Sequence, residues 1–400
     1  MRMPSTPEGR RRFRLLLVAY LAFVGLGLPD AVTGVAWPSI RETFGLRQEG
    51  LGLILFGAAA GYLSSSLAAG RLVRSLGVGR LLAGSSALVA LALAGYATTG
   101  HWPLFLLCAV ALGAGGGAID AALNLFVATA FGPRQLNWLH AFYGVGAALG
   151  PLLMTAVLAA GWSWRWGNAA IAFVLAGLAL TYLATLRVWP AAARGGSDAG
   201  GGAAEKPLTA WRALGLPAVR LQIAVFFTLT GAEATAGQWS YTVLTEARGV
   251  DPAVAGVCVG AFWTLFTLGR VAAGAVVVRL GTLRLTRLAS AGTVAGALLF
   301  ALAPNGAPLL GAAGLCLAGL ALGPLFPGLM AETPRRAGAR AAPHAVGFQV
   351  AAAVVGAAAV PAAAGALAGV FGLEAAAVAL VAASLVFVAL HERLVAAADR

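Results

Sequence analysis

The positive charges of this chain lie almost entirely in every second gap between its long apolar runs. Of its 27 Lys and Arg residues, 22 lie at the two termini or in the even-numbered gaps, and four lie in the odd-numbered gaps. Each run has roughly 20–28 residues, enough to cross a bilayer core of about 30 Å. Because cytoplasmic loops collect Lys and Arg, this pattern predicts a polytopic membrane protein with both termini in the cytoplasm. The twelve predicted spans are 13–38, 49–71, 80–99, 103–131, 136–160, 165–187, 218–246, 252–279, 284–303, 307–333, 343–369 and 373–391.

The composition supports lipid as the solvent of the folded chain. The chain is 60% hydrophobic and only 10% charged, whereas a soluble domain has about 25% charged residues. Its net charge of +13 follows from the loop bias and favours contact with anionic membrane lipid over nucleic acid, which we do not expect as a partner. No metal-ligand or catalytic spacing occurs within the spans, so we expect no metal, no cofactor and no enzymatic activity.

A linker and an internal repeat divide the chain into two halves. Residues 188–217 are rich in Gly and Ala, carry several charges and predict a flexible cytoplasmic linker between six-helix bundles at 1–187 and 218–400. Two loops repeat with an offset of 204 residues and contain the predicted gating residues Gly70, Arg74, Gly77, Arg80, Gly274, Gly281 and Arg284. His140 and His344 share that offset. Both halves therefore start on the same side, the plan of transporters whose solute binds near mid-membrane.

Three carboxyl groups lie well inside predicted spans: Asp30, Asp120 and Glu233. A charged group there is costly and indicates function by default. We assign proton coupling to Asp120 and Asp30, since a carboxyl group kept from water can exchange a proton at physiological pH. The alternative is that each carboxyl group hydrogen-bonds to a neighbouring helix or faces a wet cavity.

Polar and aromatic side chains in the same spans are candidates for binding the solute. Asn124 lies one helical turn after Asp120 and therefore shares its face. Glu233, Gln238 and Trp239 form a second polar group in the seventh span, suited to the hydroxyl groups and ring faces of a sugar. Further candidates are His140, Tyr143 and Gln349, although a structural role is the alternative for each.

The spans and the loop at 70–80 resemble the major facilitator superfamily, although Val73 stands where that family usually has Asp. Residues 113–147 are similar to the fucose permease branch, in which the acidic positions matched by Asp120 and Asp30 are implicated in proton coupling and sugar recognition. Residues 231–239, 322–327 and 347–361 resemble the sodium-dependent glucose transporter subgroup. The resemblance implies an all-α membrane protein of twelve transmembrane helices.

We therefore predict a monomeric secondary active transporter in the plasma (inner) membrane, which moves a sugar or similar small polar solute by alternating access. Proton symport is the favoured mode, with sodium as the alternative coupling ion. Two other functions remain open: a proton-driven exporter of lipophilic compounds and a non-transporting receptor. A single Lys among many Arg is typical of a high-GC bacterium.

Overall fold

A computed structural model describes residues 7–189, 208–304 and 306–398 of the protein. These residues form sixteen α-helices and, within those ranges, no β-strand. Each of the twelve apolar runs falls on helix, as expected for backbone that must satisfy its own hydrogen bonds in lipid. Of the predicted linker, residues 190–207 lie outside the described residues.

The first of two compact units contains the described residues up to Phe44 and those from Gly57 to the linker. The first apolar run contains Pro29, which has no amide hydrogen to donate to the preceding turn of α1, and the chain turns at Ala31, two residues later. The helices in this part of the chain are α1 (Pro7–Asp30), α2 (Val32–Phe44), α3 (Gly50–Leu76), α4 (Val78–Thr98), α5 (Trp102–Ala130), α6 (Pro133–Ala159) and α7 (Trp164–Ala184).

The second unit contains the remaining helices and also Gly45–Phe56, which includes the start of α3. The tenth apolar run is interrupted at Gly323 and Pro324, again at a proline. The helices are α8 (Ala210–Gly215), α9 (Pro217–Thr242), α10 (Pro252–Leu280), α11 (Thr282–Leu302), α12 (Pro308–Leu322), α13 (Leu325–Ala331), α14 (Thr333–Ala337), α15 (Ala342–Phe371) and α16 (Glu374–Ala398).

Eleven helical segments in the described part of the chain are long and apolar enough to cross a membrane. The first is a single stretch from Glu8 to Phe44 that covers α1 and α2. The seventh predicted span is the 26-residue helix α9, which is not among the eleven. Its sequence contains Glu233, two glutamines and several hydroxyl side chains, which lower its hydropathy.

Close helix contacts in both units depend on glycine. A Cβ atom at Gly113 of α5 would overlap the carbonyl oxygen of Ala58 on α3. In the second unit, a Cβ atom at Gly319 of α12 would overlap the carbonyl oxygen of Phe262 on α10. Small residues at such contacts let helix backbones approach in lipid, where packing replaces the hydrophobic effect as the driving force.

The repeated loops adopt matching backbone conformations. Gly77 has φ 79° and ψ 158°, and Gly281 has φ 75° and ψ 158°. Each glycine directly precedes the first residue of a helix, α4 or α11. Its backbone conformation is one that residues other than glycine rarely adopt. The offset found in the sequence is thus repeated in the local structure, and the predicted gating arginines Arg74, Arg80 and Arg284 are exposed at these helix ends.

Replacing Gly113 with Ala tests the α3–α5 contact. We expect Gly113→Ala to lower the free energy of unfolding by about 1–3 kcal/mol, because a backbone carbonyl cannot move aside for the added methyl group. Gly177→Ala on α7 is the matched control, since nothing lies within 4 Å of the added atom and alanine favours the helix by about 1 kcal/mol. Thermal unfolding of the purified variants measures both; equal midpoints would contradict the assigned contact.

Candidate functional site

Asp120 forms the centre of a hydrogen-bonded group in the first unit. The phenol of Tyr62 on α3 donates to Asp120 Oδ2 at 2.6 Å. The amide nitrogen of Asn124 donates to Asp120 Oδ1 at 2.9 Å and to the Asp120 backbone carbonyl at 3.0 Å. Asp120 and Asn124 are therefore paired as their one-turn spacing predicts, and each carboxylate oxygen accepts one side-chain hydrogen bond.

Asp30 pairs with a different tyrosine. It is the last residue of α1, where the helix is interrupted, and its Oδ2 accepts a hydrogen bond from the phenol of Tyr143 on α6 at 2.5 Å. Asp30 also lies within electrostatic range of both Asp120 and Tyr62. The first unit thus contains two intramembrane carboxyl groups, each with a phenol as hydrogen-bond donor.

His140 lies one turn before Tyr143 on α6. Its ring meets the edge of Phe23 on α1, with ring centroids 5.6 Å apart. The same two helices therefore position His140, Tyr143 and Asp30, and the predicted candidates of the first unit come from α1, α5 and α6.

The predicted candidates of the seventh span lie on α9 in the second unit. Trp239 is buried, with 1% of its surface exposed, and its indole nitrogen donates to the carbonyl oxygen of Pro361 on α15 at 2.8 Å. Gln238 is also buried, whereas Glu233 is half-buried. The Trp239 indole is therefore buried and anchored between α9 and α15, so its predicted contact with solute stays a prediction.

Gln349 belongs to a separate buried polar cluster in the second unit. Its Nε2 donates to Gln222 Oε1 on α9 at 2.6 Å and to Thr333 Oγ1 on α14 at 3.0 Å. All three side chains are almost completely buried. Gln349 therefore joins α15 to α9 and α14 through hydrogen bonds. Its predicted contact with solute stays a prediction.

Three residues associated with these groups in the structure were not predicted from the sequence. Tyr62 was missed because its partner lies 58 positions away, and the only signal was a phenol within an apolar run. Gln222 gave a similar weak signal. Trp263 on α10 lies against Gly237, and its buried indole nitrogen has no hydrogen-bond partner among the described residues.

The chemistry available here is proton exchange and hydrogen bonding. Two neighbouring carboxyl groups can bind protons, while amide, phenol and indole groups can bind hydroxyl groups of a solute. Within the described ranges, no group of three or more His, Cys, Asp or Glu side chains is arranged to hold a metal ion.

Within the described ranges, eleven apolar helical segments long enough to span a membrane, with hydrogen-bonded polar groups inside them, define a multi-pass membrane protein. The chain belongs to the Major Facilitator Superfamily, whose family model matches residues 19–349.

Curated relatives match parts of the chain at low identity. It is 24% identical over 262 residues to the "Protein TsgA homolog" of Serratia proteamaculans, covering 64% of each chain. It is 27% identical over 137 residues to the mouse "Sodium-dependent glucose transporter 1A", covering 34% of this chain and 32% of the relative. It is 24% identical over 144 residues to the "Glucose/mannose transporter GlcP" of Bacillus subtilis, covering 36% of each. The chain thus spans less than two thirds of these relatives.

Solved structures match the fold over nearly its whole length. A mutant of the nucleoside transporter NupG superposes with a TM-score of 0.77 at 14% identity, covering 97% of this chain and 99% of that one. The transporter FucP, described in an outward conformation, superposes with a TM-score of 0.62 at 19% identity, covering 96% and 99%. At these identities the likeness establishes the fold alone.

Replacing Gln349 with Ala separates a structural role from solute binding. We expect Gln349→Ala to lower the free energy of unfolding by about 1–3 kcal/mol, since Gln222 and Thr333 lose a buried partner. Thr181→Val on α7 is the control, because that exposed hydroxyl bonds only to its own helix. Chemical unfolding measures the change. An unchanged stability with lost solute binding would instead place Gln349 in the solute site.

Proposed function

We propose that this protein is a secondary active transporter, not an enzyme, that carries a sugar or similar small polar solute across the plasma membrane by alternating access. We further propose proton symport. The observation that carries the proposal is the Asp120 carboxylate, which lies inside a membrane span and accepts hydrogen bonds from Tyr62 and Asn124.

Proton coupling needs a group that is ionised in one part of the cycle and protonated in another. An intramembrane carboxyl group serves this purpose, because its ionised form is costly in an apolar environment unless donors surround it. Tyr62 and Asn124 supply such donors to Asp120, and Tyr143 supplies one to Asp30. Each carboxyl group therefore has a donor for its ionised form, which lets it release a proton and later regain one.

A sugar is the favoured solute class. The first support is that two relatives are named as glucose transporters. The second is the polar composition of α9, where the half-buried Glu233 can accept hydrogen bonds from the hydroxyl groups of a solute.

The proposal includes the topology expected from the charge pattern. In this topology α9, the seventh span along the chain, is added to the other eleven and brings the total to twelve. It crosses the membrane despite its polar residues, because these face protein and not lipid. Both termini and the linker then lie in the cytoplasm. A single cysteine placed at position 208 or 209 tests this orientation, because it should react with a label only from the cytoplasmic side of oriented vesicles. Labelling from the extracellular side would reverse the orientation.

Thermal stabilisation by sugars tests the solute class. A ligand that binds only the folded protein stabilises it by about 2.7 kcal/mol at a hundred times its Kd. We expect the unfolding temperature of the purified protein to rise with D-glucose, D-mannose or L-fucose, and to rise more at slightly acidic pH. A rise with uridine alone would favour a nucleoside, and a rise only with lipophilic cations would favour the exporter.

Replacing Asp120 with Asn tests proton coupling. Asn has a similar shape but cannot bind the transported proton, so Asp120→Asn should abolish uphill uptake driven by a pH gradient. Exchange of labelled sugar across proteoliposome membranes should persist, because exchange needs no net proton movement.

Asp30→Asn is the matched comparison for that experiment. Uphill uptake that survives in Asp120→Asn but is lost in Asp30→Asn would assign the proton to Asp30. Uptake driven by a sodium gradient in both variants would replace the proton with sodium.

A further inference from the structure

The two side chains bonded to Asp120 differ in what they can do when the carboxyl group gains a proton. A phenol can donate or accept a hydrogen bond, and its hydroxyl hydrogen can rotate, whereas an amide nitrogen can only donate. Tyr62 bonds to Oδ2 and Asn124 bonds to Oδ1. The two oxygens of Asp120 are therefore not equivalent as positions for a proton.

A proton on Oδ2 is compatible with both neighbours. The new O–H group would donate to the phenol oxygen of Tyr62, at the 2.6 Å separation that now holds the reverse bond. Asn124 would continue to donate to Oδ1 as before. One proton is gained, no other proton is lost, and the direction of a single hydrogen bond changes.

The reversal releases the hydroxyl hydrogen of Tyr62, which must then find another acceptor. We propose that this acceptor is an oxygen of the transported solute, so that Tyr62 links protonation of Asp120 to solute binding. In the ionised state Tyr62 donates to Asp120, and in the protonated state it donates to the solute. This inference rests on the proposed proton symport and specifies how the proton favours binding.

The packing of α3 on α5 suits this role, because it holds the Tyr62 side chain next to Asp120. The hydrogen bond can then reverse without a large movement of the backbone. Ser66, one turn after Tyr62, donates from its hydroxyl group to the carbonyl oxygen of Gly117 at 3.2 Å. Gly117 lies one turn before Asp120 on α5. The two side chains are thus held opposite each other by a neighbouring contact between the same two helices.

Among the described residues of the first unit, titratable groups on three other helices lie around this pair or near it. From α1, Asp30 lies within electrostatic range of Tyr62 and Asp120. From α6, Tyr143 bonds to Asp30 and His140 packs on Phe23. On α4, Arg80 lies in the first turn and Tyr96 packs on Phe105 near the opposite end. Asp30 is therefore the charged group able to compete with solute for the released hydrogen.

Infrared difference spectroscopy tests the reversed hydrogen bond without any solute. The carboxyl band of protonated Asp120 is identified by its absence in Asp120→Asn during an acid titration. Donation to Tyr62 weakens the Asp120 C=O bond, so we expect Tyr62→Phe to move this band to higher frequency. Tyr182→Phe is the control, because it removes a buried phenol oxygen that has no hydrogen-bond partner among the described residues. An identical band in Tyr62→Phe and the unmodified protein would overturn the proposal.

Binding of D-glucose tests the link to solute. If protonation controls binding, affinity for glucose should change by up to about tenfold per pH unit in the unmodified protein. Tyr62→Phe should lose most of this dependence and bind weakly at every pH. Tyr182→Phe should keep the full dependence, since it removes a buried phenol oxygen with no hydrogen-bond partner among the described residues.

The two measurements separate the inference from the proposed function. A full pH dependence of glucose binding in Tyr62→Phe would refute the role of Tyr62 while leaving proton symport intact. Absence of any glucose binding by the unmodified protein would count against the sugar, and the infrared band would still decide whether the Tyr62 hydrogen bond reverses.

Discussion

The structure depends on the requirement that a polar group inside an apolar solvent must find a partner. An unsatisfied group in hydrocarbon costs several kcal/mol, so a polar group inside a span is stabilised by a neighbour from the same helix or another helix. The Trp263 indole nitrogen, which has no hydrogen-bond partner among the described residues, is an exception. Asp120 meets the requirement through a tyrosine on α3 and an asparagine on its own helix. Trp239 meets it through a backbone carbonyl of α15. The requirement thus decides which helices must be neighbours.

Close helix packing makes these partnerships possible. A tyrosine side chain reaches an aspartate on the next helix only when the two backbones are near each other, and glycine permits that approach in lipid. The contact at Gly113 lies two turns before Asp120 on α5, so the same pair of helices carries the packing and the hydrogen bond. A loss of packing there would therefore also disturb the carboxyl group.

Local features of the site could be predicted from the sequence, whereas contacts between distant residues could not. The pairing of Asp120 with Asn124 follows from the helical period, and the matching turns at Gly77 and Gly281 follow from an internal repeat. Tyr62 was missed because spacing along one helix says nothing about which residue of another helix faces it. The same limit applies to Gln349, whose partners come from two other helices.

Helix α9 illustrates why hydropathy alone describes a transporter incompletely. Hydropathy measures how well a segment suits lipid on all sides, but a helix inside a bundle meets lipid on only part of its surface. Most side chains in the second half of α9 are buried, including Thr235, Gln238 and Ser240. Their polarity is accommodated by protein, since the hydroxyl groups of Thr235 and Ser240 bond to carbonyl oxygens one turn earlier. The low hydropathy of α9 therefore follows from polar side chains that are packed against protein, and it does not exclude α9 from spanning the membrane.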